Sequence, residues 1–281
     1  MVQERERIFH NFRKEKLKDK WRFIDIDKID GFRSAALFES IAKDVGANLV
    51  PETILFWRVR SPVVYLGYHQ CVADEINADY CRDHNIGIVR RILGGGCGFC
   101  DEDQILFSVI GKERGTIPSD IKAAYEKVLG GVVNALITLG AEGEIEPQRN
   151  AVYSKGRKIS GNAQGRLKGA VLINGSFLLD FDFKLMDRVL KNPTKNLYPV
   201  ASAREGMITL KDLGLIDIEL AKKALRKGFE TALGITTRDG MLTGSEIDTV
   251  DRLLEKYLSQ EWTYRMDIKR ALRAPSPLQT V

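Results

Sequence analysis

The chain has 281 residues, 44% hydrophobic and 29% charged, which is ample for a buried core in one large domain or one and a half. No apolar run approaches the ~18 residues a membrane helix needs, the first twenty residues lack the apolar stretch of a secretory leader, and four cysteines are too few for a disulfide scaffold. A reducing cytoplasm is therefore expected, and the formal charge of +5 suits a phosphorylated ligand, an acidic protein or nucleic acid alike.

Residues 1–22 read as a charged helix or arm, with seven Lys/Arg against four Asp/Glu in the first twenty. RSAALFESIAKDVG (33–46) carries apolar positions at helical spacing. PVVYLGY (62–68) predicts a strand ending at Gly67, residues 72–85 a helix, and IGIVRR (86–91) a strand running into three glycines. QILFSVI (104–110) is the strand that leaves that loop. Ser119 is placed to cap a helix whose Tyr125, Val128, Val132, Leu136 and Leu139 share one face, with Gly140 as its stop. AVYSKGRKIS (151–160) predicts a hairpin turning at Ser154-Lys155-Gly156, and AVLINGSFLLDFD (170–182) one or two further strands. Residues 217–233 and 245–258 are amphipathic helices, the second with a Ser245…Asp248 capping arrangement. The sum is an α+β domain with helices on its faces, expected at 23–212, and a small helical part at 213–281 packed on it.

Two stretches carry chemistry. In RRILGGGCGFC (90–100) a strand ending in two arginines opens into Gly94, Gly95 and Gly96. Glycines allow φ > 0 and leave backbone N–H groups in a concave nest that suits phosphate or carboxylate oxygens, and an arginine beside it offers a bidentate clamp. The loop matches neither nucleotide fingerprint: GxxxxGK[ST] is absent, and no GxGxxG opens a helix here. Cys97 and Cys100, three apart in the same loop, read as packed thiols, as an acyl nucleophile or as half a metal site; only His69 and Cys71 lie near enough in sequence to complete a zinc site. In SKGRKISGNAQGR (154–166), Lys158 sits on a strand beside small residues. A lysine facing a glycine nest stabilises charge on a phosphate ester or a transferring acyl group; otherwise it is a solvated surface residue.

Taken together, Gly67-x-x-Gln70, Arg90-Arg91-x-x-Gly94-Gly95-Gly96 with Asp101, Phe107-Ser108, Asn150 and GRKISG-x-A from Gly156 to Ala163 resemble the lipoate–protein ligase A family of the lipoate/octanoate/biotin transfer superfamily. The resemblance runs over residues 30 to 265, taking in Arg204 to Leu210 and the tail at Gln260, Glu261, Trp262 and Arg265. It implies mixed β-sheets flanked by helices in a biotin/lipoate ligase-like fold related to class II synthetases. It implies an enzyme that activates lipoate with ATP and Mg²⁺ to lipoyl-AMP and attaches it to a lysine of an apo lipoyl-carrier protein, an H-protein-like or E2 lipoyl domain. No nucleic acid or membrane is implied as a partner. Carried over by motif, Arg91, Gly94, Gly95, Gly96, Cys97, Gly98 and Phe99 would wrap the lipoyl-adenylate. Lys158 would bridge acyl carbonyl and phosphate, and Gly161 and Asn162 would line the same pocket. Asp101 and Asn150 would be neighbours of a Mg²⁺ site, with no metal ligand firmly assigned.

The chain departs from the pattern in three places. The family's GGG-A-V-Y-H-D reads GGG-Cys97-Gly98-Phe99-Cys100-Asp101, and its Asn-Asp pair reads Asn150-Ala151. The accessory domain of full-length ligases has no counterpart, so the ligase reading expects a separate small accessory protein, or else the N-terminal arm, to close the site. These departures define an alternative within the superfamily: an octanoyl or lipoyl transferase working through a cysteine thioester without ATP. Relatives of that kind carry the nucleophile just before the GRK motif or after the following strands; this chain has no cysteine beyond residue 100, which leaves Cys97 or Cys100. A non-catalytic protein that binds lipoyl domains is a further alternative, against which the intact glycine loop and Lys158 speak.

Overall fold

The structure is a computed structural model that describes residues 20–273; the proposed N-terminal arm lies almost wholly outside the described residues. In chain order the elements are β1 (Trp21–Ile29), α1 (Gly31–Gly46), β2 (Thr53–Val59), β3 (Val63–Leu66), α2 (Val72–Glu75), α3 (Ala78–Asp83), β4 (Gly87–Arg90), β5 (Gly98–Cys100), β6 (Gln104–Lys112) and α4 (Ile121–Thr138). They continue as β7 (Glu144–Glu146), β8 (Ala151–Ser154), β9 (Arg157–Leu167), β10 (Ala170–Leu178), α5 (Phe183–Val189), α6 (Ala203–Gly206), α7 (Ile218–Leu233), β11 (Thr237–Asp239), α8 (Gly244–Leu258), α9 (Gln260–Thr263) and α10 (Arg265–Arg273).

Eight strands form one mixed sheet in the order β11-β1-β2-β6-β10-β9-β8-β7, and three form a small sheet in the order β4-β3-β5. β1 runs parallel to both its neighbours, whereas β2-β6, β6-β10 and β10-β9 are antiparallel. Alternate residues of each central strand face opposite sides. Phe56, Phe107, Val171 and Ile173 meet α4 and α7 on one face, while Leu55, Trp57, Leu106 and Leu172 meet α1 on the other. A third apolar cluster joins the small sheet to α3 and α5 through Val64, Leu66, Cys81, Phe99, Met186 and Val189. α4 and α7 touch backbone to backbone: a Cβ on Gly228 would lie 2.1 Å from the Gly131 carbonyl oxygen. No helix among the described residues is long and apolar enough to cross a membrane.

Several local expectations change. β1 and β2 have no counterpart in the sequence reading: WRFIDIDKI mixes buried and charged residues, and TILFWRV is buried on both faces, so neither shows a clean period of two. Residues 72–85 form two short helices rather than one, because Ile76 leaves helical geometry to bridge Leu190. Asp120, not Ser119, caps α4. The capping box of α8 is Thr243 with Glu246, two residues before the expected one.

Glu246 has a second role. Its carboxylate accepts from Arg22 Nη1 at 2.9 Å and Nη2 at 2.5 Å, with both residues buried, which ties α8 to β1. Removing one partner of such a pair strands a buried charge and costs about 3–5 kcal/mol. Glu246→Ala should therefore lower the unfolding free energy, read by urea titration, by an amount of that order, and Arg22→Met in the same background should recover part of the loss.

Candidate active site

The two arginines at the end of β4 turn in different directions. Arg90 is fully buried and donates to the carbonyls of Gly67, Tyr68, Gln70, Trp262 and Thr263 at 2.6–3.0 Å. Arg91 points into the glycine loop. Its Nη1 donates to Tyr65 O at 3.2 Å, and its Nη2 to Gly94 O at 3.0 Å and Gly96 O at 2.7 Å. Loop carbonyls thus turn inward onto a guanidinium. The expected clamp on a ligand anion is committed to its own loop, except for Arg91 Nε, which is buried without a partner. Gly67 explains the Gly-x-x-Gln motif: Gln70 Oε1 accepts its N–H at 2.9 Å, and a Cβ there would lie 2.0 Å from Gly95 O. The loop can pack only against a glycine.

Beneath the loop lies a cavity of about 300 Å³ between the α1-side core and the small-sheet core. Its wall includes Arg91, Gly95, Gly96, Cys97, Gly98, Phe99 and Cys100 from the loop and β5, with Asn150, Lys158, Gly161 and Asn162 from β8, β9 and their approach. The structure therefore brings the two sequence clusters to one site. Gly94 and Asp101 are not among the wall residues. Asp101 is buried, and its carboxylate accepts from Asp103 N, Gln104 Nε2 and Asp182 N, so it anchors the loop. Asn150 has left-handed backbone (φ 49°), and its carbonyl accepts from both the backbone N and Nδ2 of Asn162 at 3.1 Å. No group of three or more His, Cys, Asp or Glu among the described residues is arranged to hold a metal ion.

Lys158 owes its direction to a bulge. Val152 pairs with Ser160 but Tyr153 with Lys158, so one extra residue of β9 interrupts the alternation. Ile208 N donates to Lys158 O at 2.9 Å and fixes the strand from its other side. The stem passes over Gly161, with Nζ 3.0 Å from where a Cβ would stand. Burial holds the amine down to about 8, Arg149 adds to that, and Cys97 opposes it. Burial pushes the Cys97 thiol up to about 11, with the Glu75 carboxylate adding and Arg91 and Lys195 opposing. Cys100 is more deeply buried and is raised further by burial and by Asp101.

Sequence reasoning missed most of the wall, including two charged residues that pair with each other. Glu75, at the end of α2, is the only acidic side chain of the wall among the described residues, and Lys195 comes from the segment between α5 and α6. Neither lies in a motif; they meet across 120 positions, Lys195 Nζ donating to Glu75 Oε1 at 2.6 Å.

Lys158, the Cys97 thiol and the glycine loop thus share the wall of one cavity. The family model of the lipoyl protein ligase A/B catalytic domain matches residues 30–230. The chain belongs to that family, and it is an enzyme of the lipoate ligase and acyltransferase kind. Octanoyltransferase LipM of Bacillus subtilis (strain 168) is 31% identical over 88% of this chain and 99% of its own length, and LipM of Staphylococcus aureus (strain NCTC 8325 / PS 47) is 28% identical over 89% and 100%. Among solved structures, lipoate-protein ligase A bound with ATP superposes with a TM-score of 0.77 at 25% identity over 88% of this chain and 99% of that one. A bi-partite lipoate protein ligase from Thermoplasma acidophilum does so with 0.77 at 26%, over 88% and 97%. The mixed-sheet, lipoate-ligase-like fold is thus as expected from the motifs.

The activity is not. These relatives are octanoyltransferases, which overturns the expectation of an ATP-dependent lipoate ligase, and with it ATP, Mg²⁺ and lipoyl-AMP as cofactors. The physical reason is that a transferase receives an acyl group already activated and has no adenylate to build. A loop of glycines over a lysine suits either chemistry, so the motif alone did not separate them.

With its proton held at about 8, Lys158 is close to half neutral at mildly alkaline pH, where surface lysines stay charged. Brief acetylation at that pH should label Lys158 ahead of more exposed lysines, as read by peptide mass mapping, and the preference should disappear at acid pH.

Proposed function

We propose that this protein moves an octanoyl group, without ATP, from a thioester donor to a lysine of a lipoyl-carrier domain, through a thioester on Cys97. The observation that carries the reading is a part-exposed thiol and a loosely protonated amine in the wall of one cavity, in a chain akin to octanoyltransferases. All four cysteines are free; Cys71 and Cys81 lie outside the cavity wall, and Cys100 is the more deeply buried of the two that line it.

The steps balance. Neutral Lys158 takes the proton from Cys97 Sγ, and the thiolate attacks the donor carbonyl. The resulting ammonium stands beside the oxyanion it has to stabilise. The carbon–sulfur bond to the donor breaks, and the departing thiolate takes the proton from Lys158. The neutral amine of the carrier lysine then attacks the Cys97 thioester, the Cys97–acyl bond breaks, and the proton lost by the new amide returns to Cys97. Apolar wall residues such as Phe38, Trp57 and Leu106 suit an eight-carbon chain and keep water from the thioester.

Octanoyl-pantetheine incubated with the full chain and no nucleotide should add the mass of one octanoyl group, mapped to Cys97. Cys97→Ala should remove the adduct and the transfer to an apo lipoyl domain. Cys100→Ala should keep both. Lys158→Ala should slow transfer by roughly 10²–10³-fold, the scale of one charge-stabilising donor. A requirement for ATP with free octanoate would sink the proposal, and full transfer by Cys97→Ala would remove the thioester from it.

A further inference from the structure

We propose that Glu75 is a positioning residue of acyl transfer, holding the Cys97 thiol with one carboxylate oxygen and the covering segment 191–197, through Lys195, with the other. The inference rests on the thioester reading above.

Glu75 is 8% exposed and belongs to a short helix held by α10. Asp267 of α10 accepts from Val72 N at 2.9 Å and Ala73 N at 3.0 Å, which satisfies the N-terminus of α2 from outside. Asp74 beside it is paired with Arg270 at 2.7 Å. From this fixed base Glu75 reaches two partners. Oε2 accepts from Cys97 Sγ at 3.8 Å, and Oε1 accepts from Lys195 Nζ at 2.6 Å.

The covering segment is pinned to the same residue twice, since Lys191 N also donates to Glu75 O at 3.0 Å. Between and beyond these points Pro193, Asn196 and Leu197 line the cavity. Asn196 Nδ2 lies 2.6 Å from where a Cβ on Gly96 would stand, so the segment rests on the residue next to the thiol. Seating the segment and orienting the thiol are therefore one event, read by one carboxylate.

The charges support the coupling. The groups facing Cys97 are Glu75, Arg91 and Lys195, with Lys158 across the cavity. Glu75 disfavours the thiolate and Lys195 favours it. With the segment away, Glu75 keeps Cys97 protonated and unreactive. With Lys195 seated, the carboxylate is neutralised and the thiol yields its proton more readily. The nucleophile is thus most reactive when the cavity is covered.

The test uses the full chain and two readouts: single-turnover loading of octanoyl from octanoyl-pantetheine, and alkylation of Cys97 by iodoacetamide as a function of pH. Glu75→Gln should slow loading by about 10–100-fold, the scale of a misplaced reacting group, while shifting Cys97 alkylation toward lower pH. Lys195→Ala should slow loading similarly but shift alkylation toward higher pH. The double variant should load no more slowly than Glu75→Gln alone, because the two act as a unit. Unshifted alkylation profiles, or loading losses that multiply in the double variant, would overturn the assignment. So would labelling of buried Cys81 or Cys100 in the single variants, since the effect would then be one of packing. A wild-type chain that takes up no octanoyl refutes the transfer reading instead, and the alkylation profiles still decide whether Glu75 and Lys195 govern this thiol.

Discussion

One buried cation organises the site. Arg90 has no exposed surface, and its nearest carboxylate, Asp267, is 4.0 Å away. Burial, with some repulsion from Arg265, disfavours its charge. Five main-chain carbonyls answer that penalty, and their sources matter more than their number: three come from residues 67–70 and two from the turn at 262–263. The planar fork of arginine can reach both groups at once, whereas a lysine would offer three donors from a single point. Trp262 closes the circuit by donating its indole N–H to Arg90 O at 2.9 Å. The end of the small sheet, the Gly67 turn and the C-terminal helices are thereby fixed relative to one another, and the glycine loop inherits its place through Gly67.

The next residue repeats the device on the other side. Arg91 draws the carbonyls of Gly94 and Gly96 inward, and the cavity behind the loop acquires a cationic wall: Arg91, Arg149, Lys158 and Lys195 against Glu75, among the described residues. Such a wall favours the approach of anionic groups. Lys158 holds its proton loosely chiefly because it is buried, and Arg149 in this wall repels it further.

The parts of this arrangement visible in the sequence are those encoded locally. Glycines at 94–96 and at 67, the hairpin turn at Lys155-Gly156 and the amphipathic period of α4 each state a backbone or packing requirement within a few residues. The bulge that aims Lys158 leaves no such mark. Neither does the pairing of Glu75 with Lys195, which depends on where α2 and the segment after α5 are carried by the rest of the fold. β2 was hidden for a different reason, since a strand covered on both faces loses the alternation that announces it, while β1 mixes buried and charged residues without a clean period. The error over ATP has the same root as the success with the fold. A glycine nest and a lysine suit an adenylating ligase and a transferase equally, so the motifs that identify the fold do not choose between a nucleotide and a thiol as leaving group.

The clasp between Arg90 and the turn at 262–263 joins residues 172 and 173 positions apart. During synthesis the central strands β2, β6 and β10 and the glycine loop are made before two of the five carbonyls that hold Arg90, those of Trp262 and Thr263, exist. Domains gather from the N-terminal side as they emerge, so a nascent chain passes through a stage with its core assembled and Arg90 half satisfied. The helix that caps α2 arrives later still. The short helix that carries Glu75 is therefore held from outside only once α10 docks.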